Sequence, residues 1–127
     1  MMHGEALCAP VVCYRETLER LGGNEALYER MLRKVPDDPT LAQAQAALAD
    51  HNRADFALYI HALRGLALNL GFSEVADPAQ QIDSHLRQVG YSDADFSRDE
   101  PMLAQKLASL CERYDAVLQM LRLALGE

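Results

Sequence analysis

The chain has no excess of basic charge. Its 127 residues carry 12 Lys+Arg against 19 Asp+Glu, a net charge of −7. Binding to a phosphate backbone needs a basic footprint, so no nucleic-acid partner is expected. No uninterrupted apolar run approaches the roughly 20 residues that cross a bilayer, and no membrane partner is expected either. The opening Met1-Met2-His3-Gly4-Glu5 lacks the basic start and apolar stretch of a signal peptide, which points to a cytoplasmic protein. Cysteine is scarce: Cys8, Cys13 and Cys111 are an odd number at irregular spacing, which is no disulfide framework. Cys8 and Cys13 near His3 match no common zinc pattern and lack a fourth ligand, so no metal is expected and the thiols read as reduced. Alternating apolar runs, internal repeats, low-complexity tracts and linkers are all missing, which excludes strands and a second domain. There is also no Walker or kinase-type glycine loop, and no Glu-x-x-His pair for a di-iron bundle.

What the chain does have is helical periodicity. Half the residues are hydrophobic and about a quarter are charged, the balance of a folded globular chain. Proline and glycine fall almost entirely between periodic segments. The first runs from about Val11 to Leu21, with Val11, Tyr14, Leu18 and Leu21 inward, and stops at Gly22-Gly23. Asn24 can cap a second, with Leu27, Met31, Leu32 and Val35 inward before Pro36. Asp38-Pro39 is a cap followed by proline at the first helical position, opening a third helix to about Ala49. Asn52 precedes a fourth, about Arg53 to Leu70, ended by Gly71. Asp77-Pro78 repeats the cap-and-proline signal for a fifth helix to about Val89, with Ser73 to Ala76 as an extra turn. Ser97 and Glu100 form a capping box before Pro101 and a last helix. That helix places Leu103, Leu107, Leu110, Tyr114, Val117 and Leu121 at steps of four and three, the seam of a bundle helix. The fold class is all-α.

The fourth helix carries the chemistry. At about 100° per residue, Phe56, Tyr59, Ile60, Leu63, Leu66, Ala67 and Leu70 share an arc of roughly 120° that forms the buried face. His61 lies about 140° from Phe56 and faces solvent. Its neighbours one turn before are Ala57 and Leu58; one turn after are Arg64 and Gly65; two turns after is Leu68. An ordinary solvated face would hold Glu, Lys and Gln there. Gly65 in mid-helix costs about 1 kcal/mol relative to alanine, which access to the imidazole would offset. A histidine near neutrality is a competent nucleophile, and Arg64 can neutralise charge on an arriving phosphoryl group. His3, His51 and His85 are read as solvent-facing bystanders.

The stretch HALRGLALNLG, His61 to Gly71, resembles the signature of histidine-containing phosphotransfer domains at His61, Leu63, Arg64, Gly65 and Gly71. Leu18 to Leu32, LERLGGNEALYERML, is similar to the helix-loop-helix that opens such domains, and the resemblance spans about residues 14–122 of a single domain at 1–127. Leu66 departs from the small residue usual after the glycine. The resemblance implies an antiparallel four-helix bundle with additional short helices, its four beginning near residues 24, 39, 53 and 101. It also implies that His61 is the phosphorylated residue. By offset it places Asp83 where relatives hold a Glu or Gln that bonds the other imidazole nitrogen. Arg87, one turn further, could also reach a phosphoryl group.

The function expected is a phosphocarrier without autonomous kinase activity. A response-regulator receiver aspartate would donate to His61, which passes the group to another receiver, in a relay fed by a hybrid sensor histidine kinase. Mg²⁺ would sit on the receiver, leaving no cofactor here, and a monomer suits an open histidine face. The alternative is a module that docks a partner through Leu58, Gly65 and Leu68 without phosphotransfer. The coincidence of His61, Arg64 and Gly65 separates the two, since a docking patch needs only the apolar part.

Overall fold

Helix ends in this chain are set by side chains that satisfy backbone groups the helices leave open. The computed structural model describes residues 14–125. The helices are α1 (Tyr14–Arg20), α2 (Glu25–Arg33), α3 (Thr40–Ala49), α4 (Arg53–Leu70), α5 (Ser73–Leu86) and α6 (Asp93–Leu125), with a short 3₁₀ turn at Val35–Asp37. Asn24 and Asn52 accept the N–H groups of Leu27 and Asp55 at the starts of α2 and α4, each at 3.0 Å. Asp38 accepts from Thr40 at 2.9 Å before α3. Gly71 closes α4 at φ 81°, a left-handed conformation that costs glycine nothing. The proposed first helix is seen only from Tyr14; Val11, with His3, Cys8 and Cys13, lies outside the described residues.

The fold is an antiparallel helical bundle. Helices α3, α4, α5 and α6 are joined by short connections, and α4 packs along both α3 and α5 while α6 closes against α5. This corrects the four helices inferred from resemblance. The helix at Ser73–Leu86 is a full wall of the bundle, whereas α2 lies across one end with α1. Ala44 and Ala47 are the fully covered residues of α3, and the larger Leu41 and Leu48 are only partly buried. Small side chains at the contact bring the α3 and α4 backbones close. The remaining core comes from Phe56, Ile60, Leu63 and Leu70 of α4, Val75 and Ile82 of α5, and the six seam residues of α6, all buried as the spacing predicts. Tyr59 and Leu66 sit at its edge.

The α1–α2 hairpin caps the end of α4, which fixes the helix that carries His61. The Leu68 and Asn69 carbonyls accept from Arg20 at 2.9 and 3.4 Å, and the Leu70 carbonyl accepts from the buried Tyr28 hydroxyl at 2.6 Å. Gly71 and Phe72 both donate to the Ala67 carbonyl. All four terminal carbonyls of α4 are thereby satisfied.

Two helices differ from the sequence reading. Helix α5 runs unbroken from Ser73 with Pro78 buried inside it, and ends at Leu86 rather than near Val89. Proline cannot donate to the Glu74 carbonyl one turn back, and the Arg113 guanidinium of α6 bonds that carbonyl at 3.3 Å instead. Helix α6 begins at Asp93, and its capping box is Ser92/Asp95 rather than Ser97/Glu100. The Ser92 hydroxyl accepts the Asp95 N–H at 3.2 Å while the Asp95 carboxylate accepts the Ser92 N–H at 3.0 Å. Pro101 falls inside α6, and Glu100 turns outward to pair with His51.

His85 is also corrected: it is not solvent-facing. It is half-buried, bonded through Nε2 to Asp99 at 2.8 Å, with its ring edge-on to Tyr91. Arg98 holds the same Asp99 carboxylate through two bonds of 2.9 and 3.0 Å, and the Tyr91 hydroxyl donates to it at 3.0 Å. The Arg98 bonds, then the His85 bond, hold the Asp99 carboxyl well below its ordinary value of 3.8. A carboxyl lowered in the folded state stabilises it above the unfolded value and loses that contribution as pH falls through the folded one. Melting temperatures of Asp99→Asn and the parent chain should therefore differ most near neutrality. The gap should close progressively below pH 3.8; a gap independent of pH would show that Asp99 acts by packing alone.

Candidate functional site

Helix α4 presents His61 on the side turned away from the core, with the side chain 48% exposed. Leu58, Gly65 and Leu68 share that side at steps of three and four from it. Leu58 is 61% and Leu68 46% exposed, high for large apolar residues, and Ala57 is half-buried beside them. Gly65 stands at the centre of this surface. A methyl group built on it would meet nothing within 4 Å beyond its own stretch of helix backbone, so packing does not require a glycine there. The absent side chain opens space on the outside of the helix, one turn from the imidazole.

Helix α5 supplies the polar wall. Gln80, Asp83, Ser84 and Arg87 recur at helical spacing and face α4. Asp83 is only 4% exposed, one of the few buried polar residues, and His61 Nδ1 stands 3.4 Å from both of its carboxylate oxygens. That is long for a hydrogen bond, as is common before a reacting partner is bound. Arg87 Nε donates to Asp83 Oδ1 at 3.0 Å, so the carboxylate bridges an imidazole and a guanidinium. Arg64 on α4 donates through Nε to the side-chain oxygen of Gln80, whose amide donates to Ser84 at 2.8 Å. The residues singled out from the sequence therefore lie together: His61, Arg64 and Gly65 on α4, Asp83 and Arg87 opposite, Ala57, Leu58 and Leu68 around them.

This arrangement has a defined chemical capacity. The neutral tautomer that donates Nδ1–H to Asp83 would leave Nε2 with a free lone pair, the form of imidazole that can act as a nucleophile. Two cations are tied into the same seam, Arg64 through Gln80 and Arg87 through Asp83. Among the described residues no group of three or more His, Cys, Asp or Glu side chains is arranged to hold a metal ion. Cys111, half-buried on α6, accepts from Gln45 at 3.2 Å, and burial pushes its thiol upward, away from the reactive thiolate.

Gln80 and Ser84 escaped the sequence reading. Their signal was the i, i+3, i+4, i+7 spacing of polar residues at 80, 83, 84 and 87, visible only once α5 is known to lie against α4.

A scan against known protein families matches residues 26–122 to the Hpt domain. The chain belongs to the Hpt domain family. The match covers the whole bundle from α2 through most of α6 and leaves α1 outside it. No curated protein and no solved structure matches the chain. Hpt domains act in histidine phosphotransfer within phosphorelays, interact with receiver domains of two-component systems, and are phosphocarriers rather than autonomous kinases. No helix among the described residues is long and apolar enough to cross a membrane.

Proposed function

We propose that His61 is the phosphoacceptor of this Hpt domain. It takes the phosphoryl group from a response-regulator receiver aspartate and returns it to the aspartate of another receiver. The observation that carries this reading is the pairing of an exposed imidazole with a buried carboxylate through Nδ1.

The Nε2 lone pair attacks the phosphorus of the receiver's acyl phosphate. The N–P bond forms as the P–O bond breaks, and the electron pair leaves on the receiver carboxylate. No proton need move: the imidazole becomes positively charged as the donor's carboxylate is released. Asp83, accepting from Nδ1–H, stabilises that ring charge as it develops. Arg64 offsets the charge of the phosphoryl oxygens during an in-line transfer that depends on positioning rather than covalent machinery.

Mg²⁺ belongs to the receiver's acidic pocket, and the exposed Leu58 and Leu68 take the receiver's apolar contacts. A hybrid sensor histidine kinase feeds the relay, in the cytoplasm, and the chain works as a monomer so that the α4 face stays open.

The test is incubation with phosphoramidate and, separately, with phosphorylated receivers, followed by mass spectrometric mapping of acid-labile phosphate. Phosphate on His61 supports the reading. A folded protein that takes label from no donor, yet still binds receivers, would be the docking module instead, and label on His51 or His85 would overturn the site.

A further inference from the structure

The seam between α4 and α5 holds one buried carboxylate with two candidate partners for its charge. Arg87 Nε lies 3.0 Å from Asp83, and His61 Nδ1 lies 3.4 Å from it. A buried carboxylate needs a compensating charge or it is costly. A guanidinium is always charged, whereas an imidazole can supply charge only by taking a second proton. On His61 that second proton would go to Nε2, the atom whose lone pair the phosphoryl transfer uses. The other charged group on the facing sides of these two helices is Arg64, one turn on from His61 along α4, whose Nε donates to Gln80. Helix α3 carries no charged residue, and His85 on α5 is engaged by Asp99.

We propose that Arg87 is a positioning residue that keeps His61 neutral by supplying the counter-charge Asp83 would otherwise draw from the imidazole. This rests on the phosphocarrier reading and adds a role to it. Asp83 then needs only the Nδ1–H dipole from His61, which leaves Nε2 free. An amide at position 83 would not require such a cation; a carboxylate does. Arg87 therefore acts through Asp83 and not by gripping the phosphoryl group, a distinction with consequences for pH.

The experiment compares Arg87→Ala, Arg87→Lys, Asp83→Ala and the Asp83→Ala/Arg87→Ala double variant with the parent chain. Rates of phosphoramidate labelling are taken as variant-to-parent ratios at each pH, which cancels the donor's own titration, with circular dichroism as the check on folding. Arg87→Ala should label about tenfold more slowly near pH 6.5 and within about twofold of the parent near pH 9, far above the range in which an ordinary imidazole takes a second proton. Arg87→Lys should restore most of the rate. In the Asp83→Ala background, removing Arg87 should change the rate by less than about twofold. The ¹⁵N resonances of His61 at neutral pH should show more doubly protonated ring in Arg87→Ala than in the parent. A deficit that is the same at both pH values, or that persists without Asp83, overturns the proposal and makes Arg87 a phosphoryl ligand. If no variant, nor the parent, accepts phosphate, the phosphocarrier reading fails, and the ¹⁵N spectra still decide whether Arg87 holds the ring neutral.

Discussion

Replacing His61 by glutamine should abolish phosphoryl labelling from every donor while leaving the bundle intact. The side chain is 48% exposed, so its removal opens no cavity, and the melting free energy should change by no more than about 0.5 kcal/mol. Asp83 stays paired with Arg87, and the glutamine amide can itself donate to the carboxylate. Loss of label then reports chemistry alone, because an amide nitrogen's lone pair is delocalised into its carbonyl and does not attack phosphorus. The same variant should still bind receivers through Leu58 and Leu68, which a pull-down with a phosphorylated receiver can measure. Residual label in the His61→Gln chain would place the acceptor elsewhere. A fall in helicity would contradict the exposed placement of the ring.

The second large effect is expected at Gly65, where stability and function should move in opposite directions. Alanine there meets nothing within 4 Å, so the helix gains propensity without a clash, and Gly65→Ala should be more stable by about 1 kcal/mol. A longer side chain, as in Gly65→Gln, would project into the space beside the imidazole. Transfer from a receiver should then fall on the order of a hundredfold, since a displacement of about 1 Å between reacting groups has that scale of cost. Labelling by the much smaller phosphoramidate should suffer far less. Thermal melts and paired transfer assays on both variants decide the matter. Unchanged receiver transfer in Gly65→Gln would mean that no partner uses the opening, and the glycine would then have no functional explanation. The reciprocal pattern, high stability with poor transfer, is what a site kept open at the expense of helix propensity should give.

Both predictions depend on placements that differ in how far the sequence alone reveals them. The buried stripe of α6 was legible residue by residue, because six large side chains at steps of three and four can face only one way on a helix. The outward position of His61 followed from the same arithmetic, as did the caps at Asn24, Asn52 and Gly71, where local backbone groups need local partners. The continuity of α5 was only partly legible, as an extra turn at Ser73 to Ala76. Pro78 reads as a start, and the Arg113 guanidinium that takes the Glu74 carbonyl the proline leaves open arrives from α6. The start of α6 was ambiguous for a related reason. Two capping boxes lie in Ser92–Glu100; the one at Ser92/Asp95 forms, which puts Ser97 inside the helix, and Glu100 pairs with His51 instead.

The site divides along the same line. Asp83 could be placed opposite His61 only through resemblance, since nothing within α4 or α5 by itself says which face of one meets which face of the other. Gln80 and Ser84 stayed hidden, and Arg87, read as a cation able to reach a phosphoryl group, is bound to Asp83. The all-α class, most helix boundaries, the core-facing residues of α6 and the exposure of His61 are readable in the residues alone, because each is a local consequence of periodicity and capping. The tertiary structure decided which four helices form the bundle, which prolines a helix can contain, and which charges share Asp83. Those depend on contacts between residues distant in the chain, and local propensity carries no information about them.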